Sequence, residues 1–138
     1  MAVAKWATPS ARSSNLAGTT LNSLGNGSES TTAITYDNST NRDLYSVVTI
    51  KLGSITPSTG GSITLRVTLN DGTDTADRIG GDLYVIPLTS GASAKVAVFN
   101  MVRLYPLSMR FNVINNAGVN FAASGNELYV RPWNEDVT

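Results

Sequence analysis

Four aspartates, Asp71, Asp74, Asp77 and Asp82, crowd the stretch 71–82 and form the one carboxylate constellation in the sequence. Oxygen ligands at short spacing are what a hard cation such as calcium requires. The segment Asn70–Asp77 departs from an EF-hand loop, because its glycine comes too early and no glutamate closes it. Asn-Asp-Gly after an alternating segment is first of all a turn signal, so the aspartates are expected to be loop residues, with no metal bound. Glu127, Glu135 and Asp136 complete the candidates for a glycosidase-like pair. Such a pair needs two carboxyls held at a fixed separation, and no spacing here selects one. The chain has no histidine and no cysteine. The commonest general base, the commonest metal ligand and the thiolate nucleophile are therefore all missing. Ser-His-Asp and Cys-His catalysis are impossible within this chain. The expectation is a non-enzyme with no catalytic residue, no metal and no cofactor.

The aromatic residues offer a different chemistry. Trp6, Trp133 and Tyr36, Tyr45, Tyr84, Tyr105 and Tyr129 could stack on sugars, yet aromatics make up an ordinary 7% of the chain. Tyr and Trp are also typical of cores and protein interfaces, and that reading comes first. Trp6 lies in a stretch of Ser, Ala, Asn, Gly and Thr. An indole left in water costs about 25 cal/mol for each Å² of apolar surface, so Trp6 is expected to dock on this domain or on a neighbour.

Ten basic and ten acidic residues cancel, and only 14% of residues are charged, well below the usual quarter. Nucleic-acid binding needs a basic footprint, and an anionic bilayer attracts basic clusters. Neither partner is expected. No apolar run approaches the roughly 20 residues of a membrane helix, and the first residues lack the apolar stretch of a secretion signal. Absence of cysteine suits assembly in a reducing cytoplasm.

The elements that must position these residues divide the chain in two. Residues 1–30 keep no period of 2 or 3.6 and read as an extended arm, with Val3, Trp6, Leu16, Leu21 and Leu24 as its larger apolar side chains. Residues 31–138 read as one β-domain. Strand signals fall at Thr32–Tyr36, Asp43–Leu52, Ser62–Leu69, Asp82–Leu88, Ala94–Leu104, Ser108–Asn115 and Asn126–Trp133. In the second, Leu44, Val48, Ile50 and Leu52 share parity, with Ser46 as the exception. In the third, Ile63, Leu65, Val67 and Leu69 do so. Pro87 puts the fourth at an edge or an exit. The fifth is apolar on both parities, as for a strand covered on both faces or one lying in an interface. The C-terminal Arg131–Thr138 reads as a strand exit and a frayed end. Turn residues separate the runs, and no stretch has convincing helical periodicity. The fold expected is all-β, a jelly roll or β-sandwich of about eight antiparallel strands with an extended N-terminal arm.

The segment Met109–Asp136, above all Ala123–Glu135 (ASGNELYVRPWNE), together with the Ser/Asn/Gly-rich arm, resembles the small capsid cement or decoration proteins of tailed bacteriophages. That resemblance implies a jelly roll without enzymatic activity. It implies a virion location on the outer surface of the head, assembled in the bacterial cytoplasm. The partners implied are the major capsid protein, whose neighbouring copies it would bridge, and the chain itself as a homodimer or other homo-oligomer. An alternative is a tail or fibre β-module that binds a partner protein or a host glycan. Burial need nominates Lys5, Trp6, Leu16, Leu21 and Leu24 in the arm, and Val96, Val98, Phe99 and Met101 in the two-faced strand, as partner contacts. An edge strand extending a partner's sheet is a further route to binding.

Overall fold

The computed structural model describes residues 4–30, 34–70 and 81–137. Asp71, Asp74 and Asp77 lie outside the described residues, and no helix occurs within them. Consequently none is long and apolar enough to cross a membrane, which says nothing of a β-barrel.

Seven longer strands form where apolar side chains alternate: β2 (Ile34–Asp37), β3 (Tyr45–Ile55), β4 (Ser62–Asn70), β5 (Asp82–Pro87), β6 (Ser93–Arg103), β7 (Ser108–Asn116) and β8 (Glu127–Trp133). Two short ones flank them, β1 (Ala4–Trp6) and β9 (Glu135–Val137). One sheet runs β2-β7-β4-β5 and the other β6-β3-β8, with every neighbour antiparallel. From β2 to β8 the chain passes repeatedly between the two sheets, which is the winding of a jelly roll. Their inner faces meet in one core, with Val48, Ile50, Ile63, Leu65, Phe111 and Leu128 fully buried. As a two-residue period requires, the outer side chains of β3 from Tyr45 to Lys51 are only half-buried while the alternate ones from Ser46 to Leu52 are sealed.

Several details differ from the sequence pattern. Ser46 belongs to the buried face and donates to Val102 O at 3.4 Å, whereas Leu44 and Leu69 are partly exposed. Both leucines stand at or beyond a strand end, where strict alternation lapses. The C-terminal segment is not a frayed end: β9 pairs with β1, matching Ala4 to Val137, Lys5 to Asp136 and Trp6 to Glu135. Three-residue strands carry no readable period, so their pairing is set by tertiary contact. Pro87 is the last residue of edge strand β5, where it removes no interior ladder bond.

Residues 4–30 lie along their own sandwich. Ser10 N, Ser13 N and Leu16 N donate to Pro132 O, Val130 O and Leu128 O at 3.1, 2.8 and 2.9 Å. In return, Val130 N donates to Ser13 Oγ at 2.9 Å and Leu128 N to Asn15 Oδ1 at 3.0 Å. The segment advances three residues for every two of β8, so side-chain oxygens stand in for backbone carbonyls. Pro132 has no N–H to satisfy, and the edge of β8 from 128 to 132 is thereby fully paired. Beyond it, Ala17 and Leu21 enter the core. Residues 27–30 then pair with β7, Ser30 N donating to Val113 O and Asn115 N to Ser28 O, each at 2.9 Å.

Candidate functional site

The outer face of the β6-β3-β8 sheet gathers four of the nine large apolar side chains that stand exposed among the described residues. Registry places Arg103, Tyr45 and Trp133 in one cross-strand row, Val98, Thr49 and Tyr129 in another, and Val96, Lys51 and Glu127 in a third. Between the first two, Val47 stands opposite Arg131. Tyr45 stacks on Trp133 at 4.7 Å between ring centroids with planes 28° apart. Trp6, carried in by the β1–β9 pairing, meets Trp133 edge-on at the same 4.7 Å. Stacked and edge-to-face pairs at this distance stabilise beyond their buried area, by about 0.5–1.5 kcal/mol.

β6 contributes the aliphatic half. Against β3, Val48 pairs with Phe99 but Ser46 with Val102, so β6 has one residue more than its partner across this interval. Such a β-bulge resets the alternation. Phe99 and Val102 both point into the core, and Met101 points out at 58% exposure. With Val96 at 62%, Val98 at 42% and Trp6 at 65%, four large apolar side chains stand in solvent on one face. An open cleft of about 410 Å³ lies beside them, lined by Trp6, Ala7, Pro9, Met101 and Trp133.

Polar groups form the rim. Arg12 sits 3.9 Å over the Tyr129 ring. Tyr129 Oη donates to Glu127 Oε2 at 2.6 Å, and Lys51 Nζ lies 3.6 Å from the same oxygen. The bond from Tyr129, helped by Lys51, holds the Glu127 carboxyl below its usual range. The same bond pushes the Tyr129 phenol up.

The nominated contact residues divide accordingly. Lys5, Trp6, Val96, Val98 and Met101 are exposed, while Leu16 and Leu24 are half-buried against the core. Leu21 and Phe99 are buried inside this chain and present nothing to a partner. Leu21 is buried because the arm folds onto its own domain, and Phe99 because it precedes the bulge. Tyr45, Trp133 and Tyr129 belong to the face but were not singled out as contacts. Their spacing from Trp6 in sequence gives no local signal, although alternation does put all three on the outer parity of their strands.

The described acidic groups do not assemble into chemistry. Asp82 Oδ2 accepts a bond from Tyr105 Oη at 3.0 Å. Among the described residues no three Asp, Glu, His or Cys side chains come together in a way that could hold a metal ion. Neither a protein-family model nor a curated protein sequence matches the chain.

Proposed function

We propose that this chain is a structural docking module of a bacteriophage virion, a cement protein that lays the outer face of β6-β3-β8 on the assembled shell of a major capsid protein. The observation that carries this reading is the exposed Trp6, Val96, Val98 and Met101 on one sheet face, next to the Tyr45–Trp133 stack. Aromatics and methionine are enriched where proteins meet. Contiguous apolar surface on an otherwise polar chain marks a place of contact. Among the described residues the opposite sheet is mixed and carries no aromatic stack. Its outer face is tied up in the Arg66–Glu29 pair at 2.9 Å and in Asn112 donating to Ser30 O at 2.6 Å, with Leu83 and Val85 exposed near the β5 edge. The role is adhesive rather than catalytic, and repetition over a shell turns a modest contact into firm attachment.

Exposed Trp6 also favours a second reading, a tail or fibre module stacking on host glycans. Against it stands the cleft lining of Ala7, Pro9 and Met101, which offers no side-chain partner to sugar hydroxyls.

The direct test adds the protein to undecorated shells and follows their melting. Wild type should raise the melting temperature, and Val98→Asp should raise it less while leaving the chain's own melting unchanged. No shift at saturating protein would sink the proposal.

A further inference from the structure

The cleft bounded by Trp6, Ala7, Pro9, Met101 and Trp133 has a size and a lining that restrict what enters it. About 410 Å³ lies near the low end of ligand-sized clefts, which span about 300–1,000 Å³. Apart from the indole N–H groups, the lining side chains neither donate nor accept strong hydrogen bonds. A hydroxyl-rich or phosphorylated guest would leave its polar atoms unpaired there, and unpaired buried polar groups are costly. A leucine or phenylalanine side chain loses nothing on entry and gains contact with two indoles and a thioether.

Charge around the cleft narrows the choice further. Arg103 and Arg131 are exposed on the same sheet face, in register with Tyr45 and Val47, and Arg12 and Lys51 flank Tyr129. Among the nearby carboxylates, Glu127 is engaged by Tyr129 and Lys51, Asp136 stands opposite Lys5 on the side of the β1–β9 ribbon away from Trp6, and Glu135 stands opposite Trp6. Arg12, Lys51, Arg103 and Arg131 therefore outnumber Glu127 and Glu135 on this face, in a chain whose formal net charge is zero. Complementary charge selects and orients a partner.

We infer that the cleft is an anchor pocket for one large apolar side chain carried on an acidic segment of the partner protein. The inference rests on the docking reading above and specifies the chemistry of the surface it meets.

Both tryptophans of the chain line the cleft, so intrinsic fluorescence reports its occupancy directly. The probes are three short tryptophan-free peptides with a central phenylalanine flanked by glutamate, glutamine or lysine. The glutamate peptide should saturate the signal and bind about tenfold tighter than the lysine peptide at low salt, with the gap closing at about 0.5 M salt. Met101→Asp should abolish binding without changing the melting of the chain, and joint Arg103→Glu and Arg131→Glu should reverse the order of the peptides. Equal affinity for all three flanks, no response to any of them, or binding indifferent to Met101→Asp overturns the inference. Undecorated shells separate it from the broader proposal. Shells bound equally by wild type and Met101→Asp leave adhesion standing without the pocket. Peptides bound in the expected order by a protein that ignores shells leave the pocket standing without the shell.

Discussion

Asn115 is fully buried, and both its side chain and its backbone are engaged. Its Nδ2 donates to Leu24 O and Val119 O at 2.8 and 2.9 Å, and its Oδ1 accepts from Ala117 N at 2.9 Å. Asn126 is used similarly, donating to Asn22 Oδ1 and Ala122 O while accepting from Gly53 N. Buried amides of this kind hold loops in place because leaving them unmade is costly. Leu21 is fully buried on the same segment. Leu21→Ala should cost about 2–5 kcal/mol, read as a lower urea midpoint, whereas an unchanged midpoint would remove Leu21 from the core. The carboxyls predict the acid limit. Glu127 sits below its ordinary 4.5 through the bond from Tyr129, and Asp37 below its ordinary 3.8 through Ser39. Groups lowered on folding contribute stability above their unfolded values and lose it as pH falls through the folded ones. Tyr129 and Tyr105 are raised from 10.0 by their bonds to Glu127 and Asp82. Their contribution is present below that value and is lost as pH rises through the folded one. Melting should thus be flat from about pH 5 to 9 and fall on both sides, and Glu127→Gln should blunt both limbs, since the Glu127 carboxylate is also what raises Tyr129.

At the scale of elements, the arm acts as the missing neighbour of β8. An open edge is a template for aggregation, and Ser13 and Asn15 close this one with side-chain oxygens. Removing residues 1–16 should leave the core residues Ala17 and Leu21 in place yet expose the β8 edge. The truncated chain should self-associate as its concentration rises, seen by light scattering, and a strictly monodisperse truncation would contradict the edge-covering role. β6 keeps its own open edge blunt by other means. Besides the bulge, Lys95 points inward and donates to Gly91 O and Ser93 Oγ at 2.9 and 2.8 Å. Inward charges and bulges discourage strand addition at this edge. Most of the longer strands were legible in the sequence because one side faces the core, which enforces alternation residue by residue, and β6 was legible through its β-branched residues despite the bulge that resets its alternation. The arm's course was not, since its bonds are surrogates with a three-to-two stride and its Ser and Asn mimic linker composition. Val96, Val98 and Met101 were legible as surplus apolar side chains on β6. The Tyr45–Trp133 stack was not, because it joins strands far apart in the chain.

For the whole molecule, the sandwich has two unlike outsides: one sheet carries the Arg66–Glu29 pair and the Asn112 amide, with Leu83 and Val85 exposed toward the β5 edge, the other carries rings and methyl groups among more cations than acids. Such polarity suits attachment to a surface in one orientation, the polar side left facing solvent. A second consequence lies in the small β1–β9 ribbon, where Ala4 is matched to Val137. The fold is linear in its bonds but nearly circular in its contacts. It demands that residues 4–6 and 135–137 find each other, a meeting across most of the sequence and of the kind that slows folding. A covalent link between positions 4 and 137 would have that meeting made in advance, leaving the folded pairing as it is and the unfolded ensemble with less freedom.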